Sequence, residues 1–139
     1  NEKLWEIYSE NNKGVCLHFN SSDDPTFFHN ILPVHYVSEI KEREYSPISQ
    51  SNHIIDLFYK KTEYWSYEKE LRLLKDRAGR VKFKTSSLLN VLIGYAAEPD
   101  FIEKVVTAVK EHYYNVKVYQ VTGPVSIGKL SYKPLYIPE

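Results

Sequence analysis

The run Val91-Leu92-Ile93-Gly94-Tyr95, together with the segment after it, constrains this chain more than any other feature. A continuous apolar run of this kind reads as a strand buried on both faces. Pro99 stands where the first turn of a helix accepts it, and Asp100 and Glu103 suit the positive end of that helix. Ile102, Val105, Val106 and Val109 recur at i, i+3, i+4 and i+7, which gives the helix one apolar stripe. Val116 to Val121 then reads as a second strand. Strand, helix and strand within about 30 residues make a βαβ unit with parallel strands and a right-handed crossover. The predicted fold class is therefore α/β (α+β), a mixed sheet with flanking helices that includes a βαβ unit around residues 90–121.

The 139 residues suit one domain spanning 1–139. The chain starts on Asn and contains no Met, so it reads as a fragment with more protein before Asn1. Hydrophobic residues make up 42% and charged residues 26%, the balance of a soluble globular chain. No apolar run approaches the roughly 20 residues that span a bilayer, and the start carries no signal-peptide core, so no membrane partner is expected. The single cysteine, Cys16, excludes an internal disulfide framework and a Cys-rich zinc site. That fits a reducing, cytoplasmic setting.

Before the βαβ unit the pattern is more broken. Glu2 to Glu10 reads as a short helix, and Asn11-Asn12-Lys13-Gly14 ends it, with Gly14 suited to a left-handed position. Val15 to Phe19 alternates as a strand, with Val15, Leu17 and Phe19 on one face and Cys16 and His18 on the other. Phe27 to Ile31 makes one helical turn, and Pro33 to Val37 a second strand. Ser38 to Gln50 is a polar excursion. Asn52 caps a helix over about 53–64. Residues 67–84 form a hairpin around Asp76-Arg77-Ala78-Gly79-Arg80. Thr122-Gly123-Pro124 is a turn, and Lys129 to Tyr136 adds an edge strand.

The stretch Trp65-Ser66-Tyr67-Glu68-Lys69-Glu70-Leu71-Arg72-Leu73-Leu74 is the densest mixture of aromatic and charged residues. As a strand it places Trp65, Tyr67, Leu71 and Leu73 on one face and Glu68, Glu70 and Arg72 on the other, about 7 Å apart at twice the rise per residue. As a helix it pairs Glu68 with Arg72 at i,i+4. The strand is preferred, because the preceding residues already read as a helix. Two carboxylates side by side can orient a ribose hydroxyl or stabilise a cation developing at an anomeric carbon. Arg72 can hold a phosphate or simply neutralise the pair. The plainer alternative is a surface charge ladder beside a Trp-lined core.

The net charge of zero hides an asymmetry. Residues 60–84 carry 9 basic and 4 acidic side chains, whereas residues 1–59 carry 4 basic and 9 acidic. Such clustering can attract a phosphate or a nucleic acid, or form a solvated face. The twelve tyrosines can supply stacking platforms or half-buried strand positions. His18, His29, His35, His53 and His112 show no metal-ligand spacing. Cys16 reads as an inert buried thiol. No Walker A loop and no G-x-G-x-x-G occurs, so Gly94 after its strand does not make a dinucleotide fold.

Several of these residues fall into a known pattern. Leu4-Trp5-x-x-Tyr8-x-x-Asn11-x-Lys13-Gly14-Val15-Cys16-Leu17 resembles the "W-x-x-Y-x-x-x-x-K-G-V-C" segment of the bacterial domain of unknown function 2971 family. Pro33-Val34-x-Tyr36 is similar to its next strand. Lys61-x-x-x-Trp65-x-Tyr67-Glu68-x-Glu70-x-Arg72-Leu73 resembles its "K-x-x-x-W-x-Y-E-x-E-x-R" signature, and Val91-Leu92-Ile93-Gly94 its late "V-I-I-G" strand. The family's usual N-terminal segment is absent on this reading. The resemblance implies a bacterial, cytoplasmic α/β protein and supplies no activity. Glu68-x-Glu70 also resembles the E-x-E of some ADP-ribosyltransferases, which implies an effector role of the kind found in phage defence.

Two functional expectations emerge. One is an enzyme acting on a nucleotide-like substrate, with NAD as the candidate. Glu70 is then the main catalytic carboxylate and Glu68 its helper, while Arg72, Trp65, Tyr8, His18 and Lys13 bind substrate. No metal is expected. The alternative is a non-catalytic module that binds nucleic acid or another anionic partner through residues 60–84.

Overall fold

The computed structural model describes residues 2–41, 58–126 and 129–139. In chain order the elements are helix α1 (Glu2–Tyr8) and strands β1 (Val15–Phe19), β2 (Leu32–Pro33), β3 (His35–Val37), β4 (Lys60–Thr62), β5 (Leu71–Arg72) and β6 (Leu88–Ile93). Helix α2 (Pro99–His112) and strands β7 (Lys117–Ser126) and β8 (Lys129–Tyr136) complete the order. Short 3-10 turns cover Ser21–Asp23, Glu63–Glu68 and Thr85–Ser87. The fold is mixed α/β, as expected. The chain divides into two compact units, one of residues 1–27 with 81–139 and one of residues 28–80.

The first unit is built on a four-stranded sheet of order β1-β6-β7-β8. Strands β6 and β7 are parallel and α2 connects them, so the βαβ unit stands where its periodicity placed it. Pro99 opens α2, Asp100 lies in its first turn, and Lys110 and His112 lie in its last, each matching the helix dipole. Val109 is buried, and Ile102, Val105 and Val106 pack against Leu88, Val91, Ile93, Val116 and Val118. Phe83 closes one end of this core, with its ring 5.0 Å from Phe19 and 6.4 Å from Tyr113.

Several expectations need correction in this unit. β6 is not buried on both faces: Leu89 is exposed and Leu92 half-buried, because the packed helix covers one face only. The expected apolar face of β1 is exposed at Val15 and Leu17, since β1 stands at the end of the sheet order. Cys16 is likewise exposed rather than buried, although nearby protein atoms still push its thiol above its ordinary pKa by desolvation. Thr122-Gly123-Pro124 is not a turn, since β7 continues to Ser126 and absorbs these residues as a register irregularity.

The turn after α1 also differs. Its left-handed residues are Glu10, Asn11 and Asn12, with φ of 50°, 57° and 68°, and not Gly14. Glycine is needed there for close approach. The Gly94 N–H donates to the Gly14 carbonyl at 2.9 Å, and the Ala96 N–H to the Asn12 carbonyl at 3.0 Å. A Cβ on Gly94 would lie 1.9 Å from the Asn12 carbonyl oxygen, so only glycine lets the turn seat on the end of β6.

In the second unit the expected strand at Pro33–Val37 is divided. β2 pairs antiparallel with β5, and β3 pairs parallel with β4. Between them Val34 is buried, and its N–H donates to the Glu70 carbonyl at 2.9 Å. The expected hairpin over 67–84 does not form, because β5 finds its partner in β2 instead. The expected helical turn over Phe27–Ile31 is instead a series of turns that ends at Asn30. Residues 53–57 of the expected helix lie outside the described residues, as do 42–50 of the polar excursion, and Lys60–Thr62 is strand rather than helix. No helix among the described residues is long and apolar enough to cross a membrane.

Candidate functional site

The charged residues around Trp65 meet at one point, although not by strand alternation. From Thr62 the chain enters a 3-10 turn over Glu63–Glu68, which brings each residue nearly above the one three positions earlier. Lys69 ends it in the left-handed region, with φ of 49° and ψ of 46°. Glu70 comes next and is pinned on both sides of its backbone. Its N–H donates to the Tyr36 hydroxyl at 2.8 Å, and its carbonyl accepts the Val34 N–H. Arg72 is then fixed on β5 opposite Leu32. The expected continuous strand is corrected here, because only Leu71–Arg72 is strand and Leu71 is exposed rather than facing a core.

Lys61, on β4, is the centre of the cluster. Its Nζ lies 2.5 Å from Glu68 Oε2 and 3.0 Å from Glu70 Oε2. The ammonium also stands over the Trp65 ring, 5.4 Å from its centroid. Arg72 grips Glu70 from the other side, with Nε 2.5 Å from Oε1 and Nη2 3.0 Å from Oε2. Its remaining nitrogen, Nη1, donates to the Phe58 carbonyl. The Glu68 side chain is only 5% exposed, whereas those of Lys61, Glu70 and Arg72 are between a fifth and a third exposed.

These contacts set the protonation states. The Arg72 guanidinium and then the Lys61 ammonium hold the Glu70 carboxyl down at about 2, against the opposing pull of desolvation. Partial burial works against the charge on Lys61, but its bonds to Glu68 and Glu70 outweigh it and leave the pKa above the ordinary lysine value. Bonding to Glu70 raises that of Arg72. Glu70 is therefore a permanent anion across the neutral range. It suits charge stabilisation, not proton donation. Arg72 spends one hydrogen bond from each nitrogen on the protein, and two of the three hold Glu70 in place.

Two members were not singled out from the sequence. Lys61 stands four residues before Trp65 in the signature, and Tyr36 closes the Pro33-Val34-x-Tyr36 segment. Both carried a signal as motif positions, but only the fold brings them to Glu70. The other expected binding residues lie in the first unit. Tyr8 is exposed at the end of α1 and Lys13 in the turn after it. His18 is exposed on β1, where its Nδ1 lies 2.9 Å from Asn90 Nδ2. Among the described residues, no three His, Cys, Asp or Glu side chains gather closely enough to hold a metal ion.

The family model described as Protein of unknown function (DUF2971) matches residues 4–73. The chain belongs to this family. The DUF2971 match takes in the α1 turn, the Pro33–Tyr36 segment and the whole Lys61–Arg72 cluster. It stops before Val91–Gly94, so that strand lies outside it. It begins at residue 4, and the expected absence of an N-terminal family segment is not borne out. No curated protein and no solved structure matches the chain.

Proposed function

We propose that the cluster around Lys61 is a site for a nucleotide-like substrate, with NAD as the candidate, in which Glu70 stabilises positive charge at an anomeric carbon. The observation that carries this reading is the convergence of two carboxylates on one ammonium beside an indole ring, with Glu70 held ionised. Cleavage of the bond between the ribose carbon and the nicotinamide nitrogen sends the electron pair to the nitrogen. The carbon then carries positive charge, and a fixed carboxylate lowers the energy of that state. Water or another acceptor adds to the carbon and loses its proton to solvent. Glu68 serves as the helper that orients a ribose hydroxyl, Trp65 offers a ring for stacking, and Arg72 is a positioning residue for Glu70.

The test is nicotinamide release from NAD by the wild type and by Glu70→Gln, with unfolding of both followed in parallel. Release by the wild type alone, with both proteins folded, supports the reading. Equal release by Glu70→Gln removes Glu70 from it, and no release by either removes the reading itself.

A second reading rests on a separate observation. Lys69, Arg77 and Arg80 are exposed, and Tyr64 is 68% exposed with its ring held edge-on against Trp65 at 5.2 Å. Exposed aromatic rings and exposed cations are the two features with which proteins stack bases and track the backbone of a single strand. Binding of a single-stranded oligonucleotide should then weaken steeply as salt rises, and should fall on Tyr64→Ala.

A further inference from the structure

The Lys61 ammonium sits in surroundings that would suit a ligand cation. Among the described residues the carboxylates of Glu68 and Glu70 stand at 2.5 and 3.0 Å from it, and the face of Trp65 at 5.4 Å. Carboxylates and an aromatic face together are how proteins recognise organic ammonium and pyridinium groups. Glu68 is almost fully buried, and stripping a cation from a buried carboxylate is costly, which favours exchange of one cation for another beside it. Arg72 does not contend for that place, since its nitrogens face Glu70 and the Phe58 carbonyl.

We propose that Glu68, Glu70 and the Trp65 ring form a subsite for an organic cation, which the chain's own Lys61 fills until a ligand displaces it. This deepens the reading of the cluster as a ligand site, and it names the substrate feature recognised: a flat or compact cationic group such as a pyridinium. The weaker of the two carboxylate contacts, to Glu70, is the one a ligand opens first. Lys61 then swings toward solvent and leaves both carboxylates to the ligand cation, so that one cation replaces another beside the buried Glu68. In this scheme selectivity for charge comes from the two carboxylates, and selectivity for a flat ring comes from Trp65.

The experiment is rescue of the emptied subsite. Thermal unfolding of the full chain is followed for wild type, Lys61→Ala and Lys61→Met, at matched ionic strength. The probes are methylammonium, 1-methylnicotinamide and uncharged nicotinamide. The expected result is that both variants unfold at lower temperature than wild type. The two cations should restore Lys61→Ala saturably, at concentrations at least ten-fold below any effect on wild type, while nicotinamide does nothing. Lys61→Met keeps the bulk of the stem and should bind methylammonium but leave less room for the ring. Equal effects of 1-methylnicotinamide and nicotinamide, or equal effects on wild type and variants, would overturn the subsite. If Lys61→Ala does not fold, the same comparison on Lys61→Met with methylammonium decides. Rescue without any nicotinamide release by wild type keeps the subsite and removes the cleavage reaction, whereas release without cation-selective rescue does the reverse.

Discussion

Glu70 and Arg72, two residues apart, face each other through paired hydrogen bonds of 2.5 and 3.0 Å. Such a fork-to-carboxylate pairing is stronger and more directional than a single ionic contact. It has a measurable consequence in acid. The Glu70 carboxyl is lowered from 4.5 to about 2, so the folded state holds its proton more weakly than the unfolded chain does. A depressed carboxyl contributes stability above its unfolded pKa, and that contribution is lost as pH falls through the folded value. The expected outcome is a loss on the order of 2 kcal/mol between about pH 4.5 and pH 2, reduced by partial exposure of the pair. Urea unfolding across that range should show the slope in wild type, and Glu70→Gln should flatten it.

Replacing Arg72 separates the two partners of that network. Arg72→Lys keeps the charge and loses the fork, and the hydrogen bond to the Phe58 carbonyl goes with it. We expect a destabilisation of about 1–2 kcal/mol for Arg72→Lys and somewhat more for Arg72→Ala, read from denaturant midpoints at pH 7. If Arg72→Lys unfolds like wild type, the fork geometry contributes nothing that a point charge does not.

Gly94 offers the sharpest steric test. An alanine there would place its methyl carbon 1.9 Å from the Asn12 carbonyl oxygen, a backbone atom that also accepts the Ala96 N–H. The turn must move off the end of β6 to make room. The expected cost of Gly94→Ala is about 3 kcal/mol or more, at the upper end for overpacking. Gly79→Ala is the contrast: φ is +119° but nothing lies within 4 Å, so only backbone strain of about 1 kcal/mol is expected. Chemical denaturation of the two variants should therefore rank them clearly.

The difference between what was legible and what was not tracks the range of the interactions. The βαβ unit was readable because α2 carries its own stripe, Ile102 to Val109, and its own first-turn residues, Pro99 and Asp100. All of these are local signals. The pairing of β5 with β2 was not readable, because Arg72 meets Leu32 across 40 residues and nothing in 67–84 excludes a hairpin. The cluster of Glu68, Glu70 and Arg72 was anticipated as a group, but through a uniform strand. The actual route is a 3-10 turn and a left-handed Lys69, an uncommon conformation for a lysine that no pattern of polar and apolar residues reports. The left-handed run at Glu10, Asn11 and Asn12 escaped for the same reason, since Gly14 was the obvious residue for that conformation.

Asp24 is a buried carboxylate outside the candidate site. Its Oδ1 accepts the Phe27 N–H at 3.0 Å and its Oδ2 accepts the Lys84 N–H at 2.7 Å. One side chain thus ties the loop after β1 to the segment that leads into β6, next to the Phe83 ring that packs on Phe19 and Phe27. Removing the carboxylate leaves two amide donors short of an acceptor in a largely buried place. The expected cost of Asp24→Ala is about 2–4 kcal/mol, with Asp24→Asn milder because its carbonyl oxygen can still serve one of the two amides. Amide hydrogen exchange gives the site-specific check. In Asp24→Ala the Phe27 and Lys84 amides should exchange much faster than in wild type, while those of β6 and β7 should change only as far as global stability does. Unchanged protection at Lys84 would mean that the 2.7 Å bond contributes nothing to holding the two segments together.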